Sequence, residues 1–301
     1  MHTMLSEALR ARFGTKVYKL SLSSGCSCPN RDGTIGYGGC TFCSEGGSGE
    51  FAAPFLPVRD QIRIARQKVD AKFPKQISAS ERKYVAYFQS FTNTYGNPDA
   101  LYRIYREAIE EEGIAALSIG TRPDCLSDEI LDMLAELQKT RPVWVELGLQ
   151  TIHESTAQRI HRGYPLSVFE ESWQRLKSRG LEGILHVILG LPGETREDML
   201  DTVRYTGRLD PLPDGIKLQQ LQILRGTALG EEFLRSPFPV MTLEEYCLLI
   251  RDCLDILPPE IVLHRLTGDG PKKLLIAPEW SADKKRVLNT LRKCLRDQVR
   301  L

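Results

Sequence analysis

Beyond its first residues the chain keeps exchanging one kind of segment for another, and this exchange limits its fold more than any other feature. Short apolar, β-rich runs read as buried strands: KVYKLSL (16–22), KYVAYFQ (83–89), IAALSIG (114–120), VWVELGL (143–149), GILHVILG (183–190) and GIKLQQLQI (215–223). Amphipathic stretches fill the intervals at 59–73, 98–112, 127–139, 167–179 and 195–208. In PDALYRIYREAIEEE, Leu101, Ile104, Tyr105, Ala108 and Ile109 fall on one helical face. Asn97-Pro98, Ser127 with Asp128 and Glu129, and Thr195 are helix-start signals. Such alternation predicts parallel strands joined by right-handed crossovers, as an open doubly wound sheet or a full or partial barrel.

In all of these folds, functional residues gather at the C-terminal ends of the strands. Those ends are rich in glycine and polar groups: Gln89-Ser90, Gly120-Thr121-Arg122-Pro123-Asp124, Gln150-Thr151, Gly190-Leu191-Pro192-Gly193-Glu194 and Arg225-Gly226-Thr227. One such end is an ordinary strand stop; five together favour a ligand-binding rim. From about Pro237 the pattern changes to a helix (242–256), the segment LPPEIVLHRLTGDGPKKLLIAPEW and a closing helix (281–300). The chain therefore reads as a barrel over 1–236 and a short mixed extension, 237–301, packed on it. Seven Lys or Arg stand against two Asp between Ser281 and Leu301, which suits a solvated helix face or contacts to phosphates.

The 301 residues are 42% hydrophobic and 26% charged, an ordinary globular balance, and the net charge of +1 marks neither a nucleic-acid binder nor a membrane binder. No apolar run is long enough to span a bilayer. The opening MHTMLSEALRARFG carries charges where a signal peptide needs an apolar core, so a cytoplasmic protein is expected. In that reducing compartment thiols serve more often as metal ligands or catalytic groups than as disulfides.

Four of the eight cysteines fall in CSCPNRDGTIGYGGCTFCSEGGSGEF (26–51), spaced C-x-C-x11-C-x2-C. Four thiolates can close a tetrahedral zinc site. Alternatively, three can hold an iron–sulfur cluster whose fourth iron stays open. The glycines flanking Cys40 and Cys43 give a pliable backbone suited to wrapping a metal. The loop follows the first strand, which in a βα barrel sets it over the same rim as the other strand ends. Cys125, Cys247, Cys253 and Cys294 are scattered and read as small core or surface residues.

The pair Cys40-Thr41-Phe42-Cys43 resembles the signature of the radical SAM superfamily. The widened gap CPNRDGTIGYGGCTFC, with ELGLQT and LPGE, is similar to the YtqA/YhcC type, which is related to the radical SAM domain of the elongator catalytic subunit. IKLQQLQILRGTAL also resembles that subunit. The resemblance covers nearly the whole chain and implies a partial (β/α) barrel of about six units. It also implies a [4Fe–4S] cluster on Cys28, Cys40 and Cys43, and S-adenosylmethionine on the fourth iron. No acetyltransferase domain is expected after this one.

By the same resemblance, Phe42 packs near the adenine, and Gln89, Ser90 and Thr92 stand where relatives carry a glycine-rich turn for the methionine amino group. Gln150 matches a ribose-binding glutamine, Arg162 an arginine pairing with the methionine carboxylate, and Ile188 and Gly190 an adenine-lining segment. Relatives often carry Glu where this chain has Gly120. Arg122 and Asp124 are substrate-facing candidates, or brace each other. Glu146 is mid-strand, hence either functional or half of an internal ion pair. His264, with Arg265, is placed to reach the substrate mouth, whereas His153, His161 and His186 read as capping, surface or packed residues. The implied function is cleavage of S-adenosylmethionine to a 5′-deoxyadenosyl radical that modifies a tRNA wobble uridine, with an electron donor for the cluster as partner. A small-molecule substrate is the second reading, and a zinc-stabilised, non-catalytic nucleic-acid module the third.

Overall fold

The computed structural model describes residues 1–47 and 49–299. Ser48 of the cysteine loop, Arg300 of the expected closing helix and Leu301 lie outside the described residues. The first half runs α1 (Leu5–Phe13), β1 (Val17–Leu22), α2 (Val58–Val69), β2 (Lys83–Phe88), α3 (Pro98–Glu110), β3 (Ile114–Thr121), α4 (Asp128–Gln138) and β4 (Val143–Gln150). It continues α5 (Glu154–Arg159), α6 (Leu166–Ser178), β5 (Glu182–Leu189), α7 (Arg196–Thr206), β6 (Gly215–Gln220), β7 (Ile223–Leu224) and α8 (Ala228–Arg235). The last part is α9 (Leu243–Ile256), β8 (Val262–Arg265), β9 (Leu275–Ala277) and α10 (Lys284–Cys294).

All six expected strands pair in chain order and in parallel, β1-β2-β3-β4-β5-β6. The helix starts behave as their sequences demand. Asn97, Ser127 and Thr195 each accept a hydrogen bond from a first-turn backbone N–H. Two boundaries differ from expectation. The run 215–223 breaks after Gln220, and Ile223–Leu224 pairs antiparallel with β9 in a separate two-stranded ribbon. The extension does more than pack on the barrel: β8 joins β6 in parallel as a seventh strand. Only a four-residue strand is available there, too short to stand out against the polar residues around it.

The sheet curls into an open partial barrel. In a flat sheet β2 and β6 would stand four strand spacings apart, about 19 Å, yet Lys217 Nζ on β6 donates to Tyr87 Oη on β2 at 3.1 Å. Strand alternation then sorts the side chains. Leu20, Leu22, Phe88, Ile119, Val145, Leu147, Val187 and Leu218 point outward into a continuous core with the surrounding helices. Inside, the lowest layer is apolar: Val85, Ala116, Trp144 and Ile184 pack against Leu9 of α1, which plugs the bottom of the barrel. The next layer is polar, and above it the barrel opens beneath the cysteine loop.

Candidate active site at the mouth of the barrel

A cavity of about 370 Å³ occupies the open end, within the size range of small-molecule and cofactor sites. Cys28, Cys40 and Cys43 all line it; Cys26 does not. The Cys26 side chain packs on the helix-facing core instead, so close to Gly96 that a Cβ there would stand 3.3 Å from its sulfur. The loop is held from several sides. Cys43 N–H donates to Cys40 O at 2.9 Å, Thr41 N–H to Ile160 O at 3.0 Å, and Leu229 N–H returns to Thr41 O at 2.8 Å. Asn30 Nδ2 donates to His161 O at 2.6 Å and lies 3.6 Å from Cys40 Sγ. Arg31 donates to Cys43 O at 3.0 Å and also to Ser44 O. Gly47 has φ +59°, and a Cβ there would strike the Phe91 ring.

Burial, reinforced by the neighbouring Cys43 and Cys28 sulfurs, pushes the Cys40 thiol up to about 12. Metal binding favours the thiolate over the thiol. Among the described residues, no three His, Cys, Asp or Glu groups converge tightly enough to hold a metal ion. Three thiols line the cavity and the fourth does not, which is the three-thiolate donor count of a cluster with an open iron rather than the four ligands of a zinc knuckle.

The other cofactor candidates divide. Phe42, Gln89, Thr92, Gln150, Arg162 and Ile188 line the cavity. Phe42 and Ile188 also pack against one apolar cluster around Ile160, Leu191 and Leu221, a flat apolar wall beside the thiols. Ser90 and Gly190 do not reach the cavity. Ser90 is buried against Gly49, and Gly190, at φ +89°, donates its N–H to Met199 Sδ at 2.9 Å. Gln150 is held at φ +60°, an unusual conformation for a side-chain-bearing residue. Its amide meets Tyr164 Oη at 3.1 Å. Phe91, which also lines the cavity, and His161, whose carbonyl accepts from Asn30, share that backbone geometry.

Arg162 is fully buried, and most of its guanidinium is spoken for. Nε donates to Tyr164 O at 3.0 Å, and one terminal nitrogen donates to Leu149 O at 3.0 Å and Thr151 O at 2.6 Å. The other, Nη2, has Glu154 at 3.6 Å and no hydrogen bond. The expected bidentate grip on a carboxylate thus gives way to a single available donor, because the side chain also ties off the end of β4.

Among the substrate-facing candidates, Arg122 pairs bidentately with Asp124 at 2.9 and 2.7 Å and donates to Arg162 O at 2.9 Å. Arg122 lines the cavity; Asp124 stands behind it. His264 does not reach the mouth. The β6–β8 register shifts there, and its ring packs edge-on to Trp144, below the polar layer. Its neighbour Arg265 lines the cavity instead. Gly120 also lines it; its carbonyl accepts from Asn93 Nδ2 at 2.9 Å.

Glu146 is the centre of the polar layer. It is fully buried and accepts from Lys19 Nζ at 2.7 Å, Ser118 Oγ at 2.6 Å and His186 Nε2 at 2.8 Å, and from Lys217 Nζ. Burial alone would raise this carboxyl, but Lys19 and Lys217 hold it well below the usual range. Burial drives His186 down to about 4, so at neutral pH it is an uncharged donor. The ring of Tyr87 lies between the two ammoniums, 4.5 Å from Lys19 and 4.7 Å from Lys217. Sequence reading missed Lys19, Tyr87 and Lys217. The available signal was a lone charge inside an otherwise strand-like run, the same one that marked Glu146.

A curled parallel sheet with three thiols at its mouth and an apolar wall beside them defines a cluster-bearing barrel enzyme. The Radical SAM superfamily profile matches residues 28–206, and the Radical SAM C-terminal domain matches residues 213–297. The chain belongs to the radical SAM superfamily and is a radical SAM enzyme, with the [4Fe–4S] cluster and S-adenosylmethionine usage of that domain type. It is 40% identical to the protein YtqA of Bacillus subtilis, over 99% of this chain and 90% of that protein. It is 30% identical to a tRNA uridine(34) acetyltransferase of Methanocaldococcus infernus, over 54% of this chain and 30% of that protein. The solved structure of M. infernus Elp3 with an N-terminal deletion superposes with a TM-score of 0.67 at 18% identity, covering 92% of this chain and 63% of that one. That likeness concerns the fold. Among the described residues no helix is long and apolar enough to cross a membrane.

Proposed function

We propose that Cys28, Cys40 and Cys43 hold the cluster and that the enzyme modifies a tRNA wobble uridine. The observation that carries the first part is the sorting of the thiols: three on one cavity wall, the fourth turned into the core. When bound, the cluster supplies an electron and S-adenosylmethionine supplies a 5′-deoxyadenosyl radical. The chain's own residues provide position and exclusion of water. Phe42 and Ile188 offer an apolar surface for a purine, Gln150 an amide for a sugar hydroxyl, and Nη2 of Arg162 one charge-assisted hydrogen bond to a carboxylate. Asn30 and Arg31 hold the loop backbone, and Arg122, locked by Asp124, fixes the rim beside Cys40.

Support for the substrate is the partial likeness to a tRNA uridine(34) acetyltransferase. A target atom must enter the cavity to meet the radical, and an anticodon loop presents an unstacked base more cheaply than a duplex does. The test is to delete the gene and compare modified nucleosides of total tRNA by mass spectrometry. Loss of one modified wobble uridine, restored by the wild-type gene and not by Cys40→Ser, is expected. An unchanged profile would move the substrate to a small molecule.

A further inference from the structure

The lower part of the cavity gathers more basic side chains than carboxylates. Glu146, one carboxylate, faces two ammoniums, Lys19 and Lys217. Arg265 shares Asp269 with Lys284: the oxygen stands 3.9 Å from the arginine and 3.0 Å from the lysine. His186 adds no charge. Of these cations, Lys217 and Arg265 line the cavity, and Lys217 is only 3% exposed. A buried ammonium that shares its counter-ion is costly: burial pulls Lys217 well below a free lysine, and an anion placed against it would offset that pull and hold the ammonium charged. Glu146 cannot turn toward a ligand, because four donors already occupy its oxygens. The Lys217 ammonium has three N–H bonds, and Glu146 and Tyr87 take two. Tyr87 Oη accepts from Lys217, and its own hydroxyl is turned to Glu146, whereas Arg265 spends one N–H on Gln219 Oε1 at 3.2 Å. The free valences of the floor are N–H donors of Lys217 and Arg265.

We propose that this floor is a binding site for an anionic oxygen group of the substrate, a carboxylate or a phosphate, held by Lys217 and Arg265. The site stands beneath the rim assigned to S-adenosylmethionine and does not depend on the tRNA reading. Its anion has two possible sources: a phosphate of a bound RNA, or a free small acid.

The experiment titrates inorganic phosphate, and separately acetate, into the anaerobically reconstituted protein saturated with S-adenosylmethionine and lacking reductant, followed by calorimetry. Saturable binding of at least one anion is expected, weakened about tenfold by Lys217→Met, the loss of one charge-assisted contact. Arg265→Gln, on a third-exposed side chain outside the buried layer, should weaken it several-fold and decides the matter if Lys217→Met does not fold. Adding tRNA identifies the source. Displacement of phosphate points to an RNA phosphate; undiminished phosphate binding, or tRNA that fails to bind, points to a free acid. Absence of saturable binding, binding that both substitutions leave unchanged, or binding that appears only without S-adenosylmethionine overturns the proposal. The tRNA reading fails separately, on the nucleoside profile.

Discussion

The thiol wall and the ionic floor face one cavity but are assembled differently. The wall comes from a single loop, positions 28 to 43, fixed largely by backbone hydrogen bonds and by Asn30 and Arg31 reaching around it. The floor comes from four strands, with Lys19, Glu146, His186 and Lys217 meeting only because the sheet curls. Charge separates them too. Burial pushes the Cys40 thiol up, whereas Lys19 and Lys217 hold the Glu146 carboxyl well below its usual range. A loop site can be lost residue by residue while the fold survives; a site woven through strands puts stability and binding on the same atoms.

The widest separation should come from the cysteines. After anaerobic reconstitution, Cys28→Ser, Cys40→Ser and Cys43→Ser should each lose most of their iron and the brown colour, while Cys26→Ser keeps both. Circular dichroism should show all four folded. If Cys26→Ser loses iron and Cys28→Ser retains it, the ligand set is misassigned.

Next in size is the floor. Glu146→Ala leaves Lys19 and Lys217 buried without their carboxylate and should cost about 3–5 kcal/mol in denaturant unfolding. Combining it with Lys217→Met should recover part of that loss, since the stranded charge goes too. Equal losses in the single and double variants would mean that the ion pair is not what Glu146 contributes.

Wall and floor should also respond to opposite ends of the pH scale. His186 titrates at about 4 when folded, below an ordinary histidine at about 6.5. Its contribution is therefore complete above pH 6.5 and lost as pH falls toward 4, where the depressed Glu146 adds a loss of the same sign. Cys40, raised to about 12 from about 9, works the other way in protein freed of iron: its contribution is present below about pH 9 and lost as pH rises toward 12. His186→Gln should flatten the acid limb alone, and Cys40→Ser the alkaline limb alone. Cross-effects would show that the two regions are coupled.

The same contrast explains what was legible in the amino-acid order. The strands, their sequence of pairing and three helix caps followed from local patterns, since apolar runs, Asn97, Ser127 and Thr195 act on near neighbours. The cysteine motif is equally local. The floor is not: nothing in KVYKLSL or GIKLQQLQI says that Lys19 and Lys217 will meet at Glu146 until the curl is known. β8 escaped because four residues carry no period, and His264 was set at the mouth because a register shift does not show in sequence. Arg162 was assigned a ligand alone, while its bonds to three carbonyls arise from how the chain turns after β4.

That double duty sets the next prediction. Arg162→Ala strands buried carbonyls and should cost about 3 kcal/mol, as well as weakening S-adenosylmethionine binding. Gln150→Ala separates the two, because its amide contacts Tyr164 and the end of its own strand rather than bracing a second segment's carbonyls. It should lower cofactor affinity several-fold with a near-normal unfolding midpoint. A large stability loss with unchanged affinity would make Gln150 a structural residue held at positive φ for the turn alone.

The smallest effects belong to α10, which lies outside both wall and floor. Lys285, Arg286, Arg292 and Lys293 are exposed along it, and the net charge of the chain is only +1. If this face tracks an RNA backbone, each contact releases counterions, so each substitution by Gln should reduce the slope of log affinity against log salt by roughly 0.7–0.9. Lys284 should matter less, since Asp269 already partners it at 3.0 Å. Filter binding of purified tRNA across salt concentrations measures this directly. Slopes that do not change in any of the four variants would leave α10 as a solvated surface, and tRNA, if it binds, would have to be held by the cavity rim.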